Sequence, residues 1–107
     1  MFPVLIPPPE RPAPSPYSAR IMAKPVHFYY ANPDAKSVNL TGDFNEWHPD
    51  AHPMRRREDG WWFIEVPLTH GHHRYLFLVD GQPVLDSRAS GIARNHRNQR
   101  VSLVFVG

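Results

Sequence analysis

Arg74-Tyr75-Leu76-Phe77-Leu78-Val79-Asp80-Gly81 reads as a β-strand that ends in a tight turn. Successive side chains of a strand point to opposite faces, so Tyr75, Phe77 and Val79 face inward while Leu76 and Leu78 face out. Asp80-Gly81 turns the chain into a short strand near Val84-Leu85. Working outward, Trp61–Val66 places Trp62, Ile64 and Val66 on one face, opposite Phe63 and Glu65. Asp59-Gly60 supplies the turn before it. Val26–Tyr30 and Lys36–Thr41 precede these runs, separated by Asn32-Pro33-Asp34, and Val101–Val106 closes the set. No window shows a helical period. Short strands with Gly, Asp and Pro turns predict an all-β sandwich over residues 25–107.

The chain has 107 residues, 13 of them proline and none cysteine. Seven prolines fall within Met1–Pro16, and proline both fixes φ and removes a donor. Residues 1–24 therefore read as an extended, disordered Pro-rich arm. Pro9-Glu10-Arg11-Pro12 has P-x-x-P spacing, a pattern that dense proline also generates by chance. The absence of cysteine excludes disulfides, thiolate metal sites and a cysteine nucleophile, and it fits a reducing, cytoplasmic setting. A net charge of +2 makes no strong demand for an anionic partner. No apolar run approaches the ~20 residues of a membrane helix, and the N-terminus lacks the features of a signal peptide.

Gly42-Asp43-Phe44-Asn45-Glu46-Trp47 follows a strand directly. Gly42 is expected to leave the strand through a turn, with φ > 0 available to it. Phe44 plugs the sandwich corner, and Asn45 closes the loop on its own backbone. Trp47 lies on a polar loop between Glu46 and His48, where burial is not forced. Its indole either stacks on the apolar face of a pyranose or folds back on the sheet.

This loop, followed by Asp59-Gly60-Trp61-Trp62, Tyr75–Gly81 and Asp86 in that order, resembles carbohydrate-binding module family 48. That family includes the glycogen-binding module of the AMP-activated protein kinase beta subunit and the N-terminal domains of isoamylases and branching enzymes. The resemblance covers about Val26 to Val106. It implies an Ig-like early-set β-sandwich that binds α-1,4-glucan (glycogen, starch or maltooligosaccharide) without catalysis, beside a glycogen-metabolising enzyme or a kinase. The family's sugar sites commonly use two tryptophans and a lysine. Here Leu76 stands at the lysine position, Pro83 at the second tryptophan, and Trp47 alone carries over.

One indole face covers roughly 100 Å², worth about 2–3 kcal/mol, whereas millimolar affinity needs about 4 kcal/mol net of association costs. Trp47 therefore needs company. Trp61, Arg74, Gln82, Asn98 and Gln99 are the candidates, and with Asn45 they complete the expected carbohydrate-binding set. Trp61 lies on the face opposite Trp62, as a second platform or as a cross-strand pair. Leu76 and Leu78 beside Phe63 suggest an apolar patch, so the alternative function is a protein-interaction module of the same fold that has lost its sugar site.

Other chemistries lack their residues. His70-Gly71-His72-His73 is the densest part of a set of seven histidines, but adjacent strand residues point apart and a metal site wants three or four converging ligands. No paired carboxylates face across a cleft, and no phosphate cradle or nucleophile elbow is present. The reading is a non-enzyme without cofactor or metal. Arg55-Arg56-Arg57 and the arginines from Arg88 to Arg100 carry no nucleic-acid signature and read as solvated faces.

Overall fold

The computed structural model describes residues 23–107, so the expectations for the Pro-rich arm fall, up to residue 22, outside the described part. Eight strands follow in order: β1 Ala23–Ala31, β2 Val38–Gly42, β3 Arg55–Arg56, β4 Trp61–Thr69, β5 Gly71–Val79, β6 Gln82–Val84, β7 Gly91–Arg94 and β8 Arg100–Val106. Among the described residues the regular structure is strand apart from one 3₁₀ turn at Asp43–Asn45, and β1 starts within the stretch assigned to the arm. Two short strands, β3 and β7, were not foreseen.

The strands form two antiparallel sheets, β1-β4-β3 and β2-β5-β8-β7, with β6 also paired to β5. This is the early-set sandwich. Strand β5 is its spine. β2 runs along one edge, Val38 opposite Val79 and Gly42 opposite Tyr75. The other edge is shared between β8, over Gly71–Tyr75, and β6, over Phe77–Val79.

The alternation expected from the sequence holds. Tyr75 and Phe77 are buried in the core with Phe28, Val38, Leu40, Trp62, Val66, Leu68 and Val106. Phe28 meets Tyr75 edge-on at 4.9 Å, a preferred geometry for aromatic pairs. The Trp62 indole N–H, which burial would otherwise leave unpaired, donates to the Asn32 carbonyl at 3.0 Å. The Tyr75 hydroxyl donates to Asp86 at 2.6 Å, and burial, then this bond and the Asp86 charge, push its pKa far above that of an ordinary tyrosine. The Asp80-Gly81 turn has φ of 49° and 84°, as a two-residue hairpin requires. Its aspartate accepts the Lys36 and Ser37 amides at 2.8 and 2.9 Å.

Two expectations are corrected. Gly42 is extended, with φ of −170°, so no left-handed conformation calls for glycine. Crowding does: a Cβ there would lie 2.5 Å from the Phe44 ring and 2.6 Å from the Arg74 carbonyl oxygen. Nor does Phe63 join Leu76 and Leu78. Trp61–Thr69 and Gly71–Val79 belong to different sheets, so their outward residues lie on opposite sides of the molecule. Phe63 instead stacks on Tyr29 with ring centroids 6.5 Å apart.

Candidate functional site

The outer face of the β2-β5-β8-β7 sheet carries the candidate site. Leu76 and Val101 point away from the core by alternation, yet they are 8% and 0% exposed. Leu76 shares a groove with residues of the loops after β2 and between β7 and β8, and Val101 pairs with Ala93.

The loop after β2 is fixed by Asn45. Its side-chain oxygen accepts the Gly42 amide at 3.0 Å, while its amide group donates to the Leu40 carbonyl at 3.1 Å and meets the His52 ring at 2.8 Å. Asn45 thus positions the loop as the sequence suggested, with its polar atoms turned to the protein. Phe44 packs against Phe28, centroids 6.3 Å apart. The next two residues, Glu46 and Trp47, are both left-handed, with φ of 56° and 60°, which costs a non-glycine residue about 1 kcal/mol each. The Trp47 amide donates back to the Gly42 carbonyl at 2.8 Å. This bend carries the half-buried Trp47 onto the outer face.

Trp47, Leu76, Leu78 and Pro83 line a groove of about 460 Å³ with Thr41, Glu46, Asn95, His96, Arg97 and Gln99. The floor is apolar and the rim polar, the usual make-up of a ligand site. On the rim, Asn95 is committed to its own loop, accepting the Arg97 and Gln99 amides at 2.9 and 3.0 Å and donating to the Gln99 side-chain oxygen at 3.0 Å. That bond holds the Gln99 carboxamide and leaves its NH₂ group available as a donor. His96 and Arg97 add donors, and Glu46 adds an acceptor.

Of the residues singled out from the sequence, the groove joins Trp47 and Gln99. Asn45 supports them from behind. Asn98 shapes the β7–β8 turn, with φ of 62° and its carbonyl accepting from Arg94 at 2.8 Å. Gln82 is exposed opposite Val79, and Arg74 is exposed opposite Leu103; neither lines the groove. Trp61 lies in the other sheet, opposite Ala31. The sequence reading passed over Asn95, His96, Arg97 and Glu46. An asparagine three residues before Asn98 in a turn was the available signal for the first. His72 contacts Phe105, centroids 4.8 Å apart, whereas His73 turns to Phe44 and to Asp43, 3.5 Å away, as alternation required.

The molecule is thus a two-sheet early-set sandwich with a groove of apolar floor and polar rim on one outer face. The chain belongs to the family described as carbohydrate-binding module 48 (isoamylase N-terminal domain), whose match covers residues 16–97. It is similar to the 1,4-alpha-glucan branching enzyme GlgB of Nitrobacter winogradskyi, 33% identical over 82 residues, covering 73% of this chain and 12% of that enzyme. It is also similar to GlgB of Novosphingobium aromaticivorans, 43% identical over 60 residues, covering 55% of this chain and 8% of the enzyme. GlgB 2 of Xanthomonas campestris pv. campestris is 38% identical over 72 residues, covering 64% and 10% respectively. The chain therefore spans about a tenth of the length of these relatives. Among the described residues no helix is long and apolar enough to cross a membrane.

Proposed function

We propose that this module binds α-1,4-linked glucan in the Trp47 groove, without catalysis, and anchors a glycogen-metabolising enzyme to the polymer in the cytoplasm. The observation that carries the reading is the left-handed bend at Glu46-Trp47, which spends backbone strain to set an indole beside a polar rim. The apolar C–H face of a pyranose stacks on the indole, and Gln99, Arg97 and Glu46 bond its hydroxyls. Leu76, Leu78 and Pro83 extend the apolar contact beyond the ~2–3 kcal/mol of one indole face, toward the about 4 kcal/mol that millimolar binding requires. The branching enzymes it resembles act on α-glucan by name, which favours this polymer over other carbohydrates.

Calorimetric titration with a long maltooligosaccharide tests the reading, with a cellulose oligomer as control. Saturable binding of the α-glucan alone, weakened at least tenfold in Trp47→Ala, is expected. Heat-silent mixing up to high millimolar ligand sinks it. One observation favours a second reading: Leu76 and Pro83 stand where the sites of the resembled family have a lysine and a second tryptophan, which takes away a hydrogen-bond donor and a stacking ring that a sugar would use. On that reading the groove receives a protein segment, and glucan is ignored.

A further inference from the structure

The opposite outer face holds a second aromatic cluster. By alternation Tyr29 and Trp61 point outward from the β1-β4-β3 sheet, and Tyr29 is 37% exposed. The Arg88 guanidinium lies over the Trp61 ring, 4.6 Å from its centroid, in cation–π contact. Tyr29, Trp61 and Arg88 share a hollow of about 280 Å³ with Arg57 and Asp59. Asp59 is held there twice, accepting the Trp61 amide at 3.1 Å and pairing with Arg57 at 3.0 Å. Arg88 has no carboxylate partner among the described residues, and its guanidinium donates no hydrogen bond there. Its planar fork of N–H donors is thus held flat by an indole and left unspent among the described residues.

Charge selects the ligand. Asp59 neutralises Arg57 and the Arg88 guanidinium lies on the indole, while Asp86 accepts only the Arg88 backbone amide, at 2.9 Å. A phosphate or carboxylate would meet one guanidinium without a carboxylate partner among the described residues, on an open surface where a lone charge pair is worth little, whereas a neutral polyol finds aromatic faces, guanidinium donors and a carboxylate acceptor. The hollow falls below the ~300 Å³ lower end of ordinary ligand pockets, a size for a single ring of a chain that runs on across the surface.

We propose that Trp61, Tyr29 and Arg88 form a second pyranose platform, which makes the module two-faced toward one branched α-glucan particle. The proposal rests on the glucan reading of the Trp47 groove for its choice of sugar. The two platforms lie on opposite sheets, so they engage different chains of the polymer, and retention rises by avidity rather than by a deeper single site.

The test follows the three tryptophan indole N–H signals by NMR during titration with maltoheptaose, in the wild type and in Trp47→Ala. The Trp61 signal should move saturably in both proteins and stay still with inorganic phosphate. Arg88→Ala, which leaves the indole in place, should raise the dissociation constant at Trp61 at least fivefold and leave that at Trp47 within twofold. Wild type should cross-link glycogen into turbid assemblies, and Arg88→Ala should lose this. A Trp61 signal that never moves, that moves only with phosphate, or that moves only while Trp47 is present overturns the proposal. If Trp47 responds and Trp61 does not, the groove stands and the second platform falls; the reverse pattern removes the groove and keeps the platform.

Discussion

Gly42→Ala is a one-carbon perturbation that tests how the candidate site is built. The added methyl would sit 2.5 Å from one carbon of the Phe44 ring, 2.8 Å from the next and 2.6 Å from the Arg74 carbonyl oxygen. The ring can swing only by leaving its place against Phe28 and His52. The carbonyl cannot retreat without shifting β5 away from β2. Overpacking of this kind costs typically 1–3 kcal/mol, and a backbone atom among the clashes argues for the upper half of that range. A domain of this size loses about 4–8 °C of melting temperature per kcal/mol, so a fall of about 10–20 °C is expected by circular dichroism. Because the displaced residues lead straight into Glu46-Trp47, the Trp47 indole signal should shift as well. Gly81→Ala is the control. Its site is open, with nothing within 4 Å, but φ is +84°, so it should cost about 1 kcal/mol from backbone strain alone and leave the Trp47 signal in place. A Gly42→Ala protein that melts within 2 °C of wild type, with its Trp47 signal unmoved, refutes the crowding argument.

Three further outcomes follow from the same geometry. Folding favours the protonated Tyr75 phenol, because its native pKa is raised; the associated stability is complete below about pH 10, the unfolded tyrosine value, and declines as pH rises beyond it. Tyr75→Phe should cost about 1.5–3 kcal/mol in chemical denaturation at pH 7, as expected for a bond to a charged acceptor, and should weaken that alkaline decline. Asn45→Ala removes the side-chain contacts to Gly42, Leu40 and His52, and should destabilise by about 2 kcal/mol while broadening the Trp47 indole signal. Pro83→Trp places an indole on the groove wall opposite Leu78, and should tighten maltooligosaccharide binding at least fivefold, about 1 kcal/mol, by calorimetry.

The core was legible because it obeys a period of two. Tyr75, Phe77, Trp62 and Val66 went inward as alternation demands, and the Asp80-Gly81 turn announced itself by composition. The sheet partition was not legible. β4 and β5 adjoin in sequence, with only His70 between them, yet the chain crosses there from one sheet to the other, which separates Phe63 from Leu76. Strands β3 and β7 escaped because Arg55-Arg56 and Gly91–Arg94 hold few β-type residues and are strands only by virtue of their neighbours. In the candidate site, the loop residues Phe44 and Trp47 could be read one at a time, whereas the crowding that calls for Gly42 shows only in the fold. The rim could not, since Asn95, His96 and Arg97 reach the groove only through the turn between β7 and β8. Gln82 and Arg74 were plausible by residue type, but they sit at register positions that take them past the groove.

Strand β5 serves two masters with alternate residues: Tyr75, Phe77 and Val79 belong to the interior, while Leu76 and Leu78 belong to the groove. A floor made this way has no compliance of its own. Any displacement of Leu76 that a ligand demanded would be transmitted along the same backbone to Phe77, which is fully enclosed. A ligand bound in this groove would therefore meet a template, with adaptation left to the rim, and selectivity among ligands would be decided by the curvature each already has in solution.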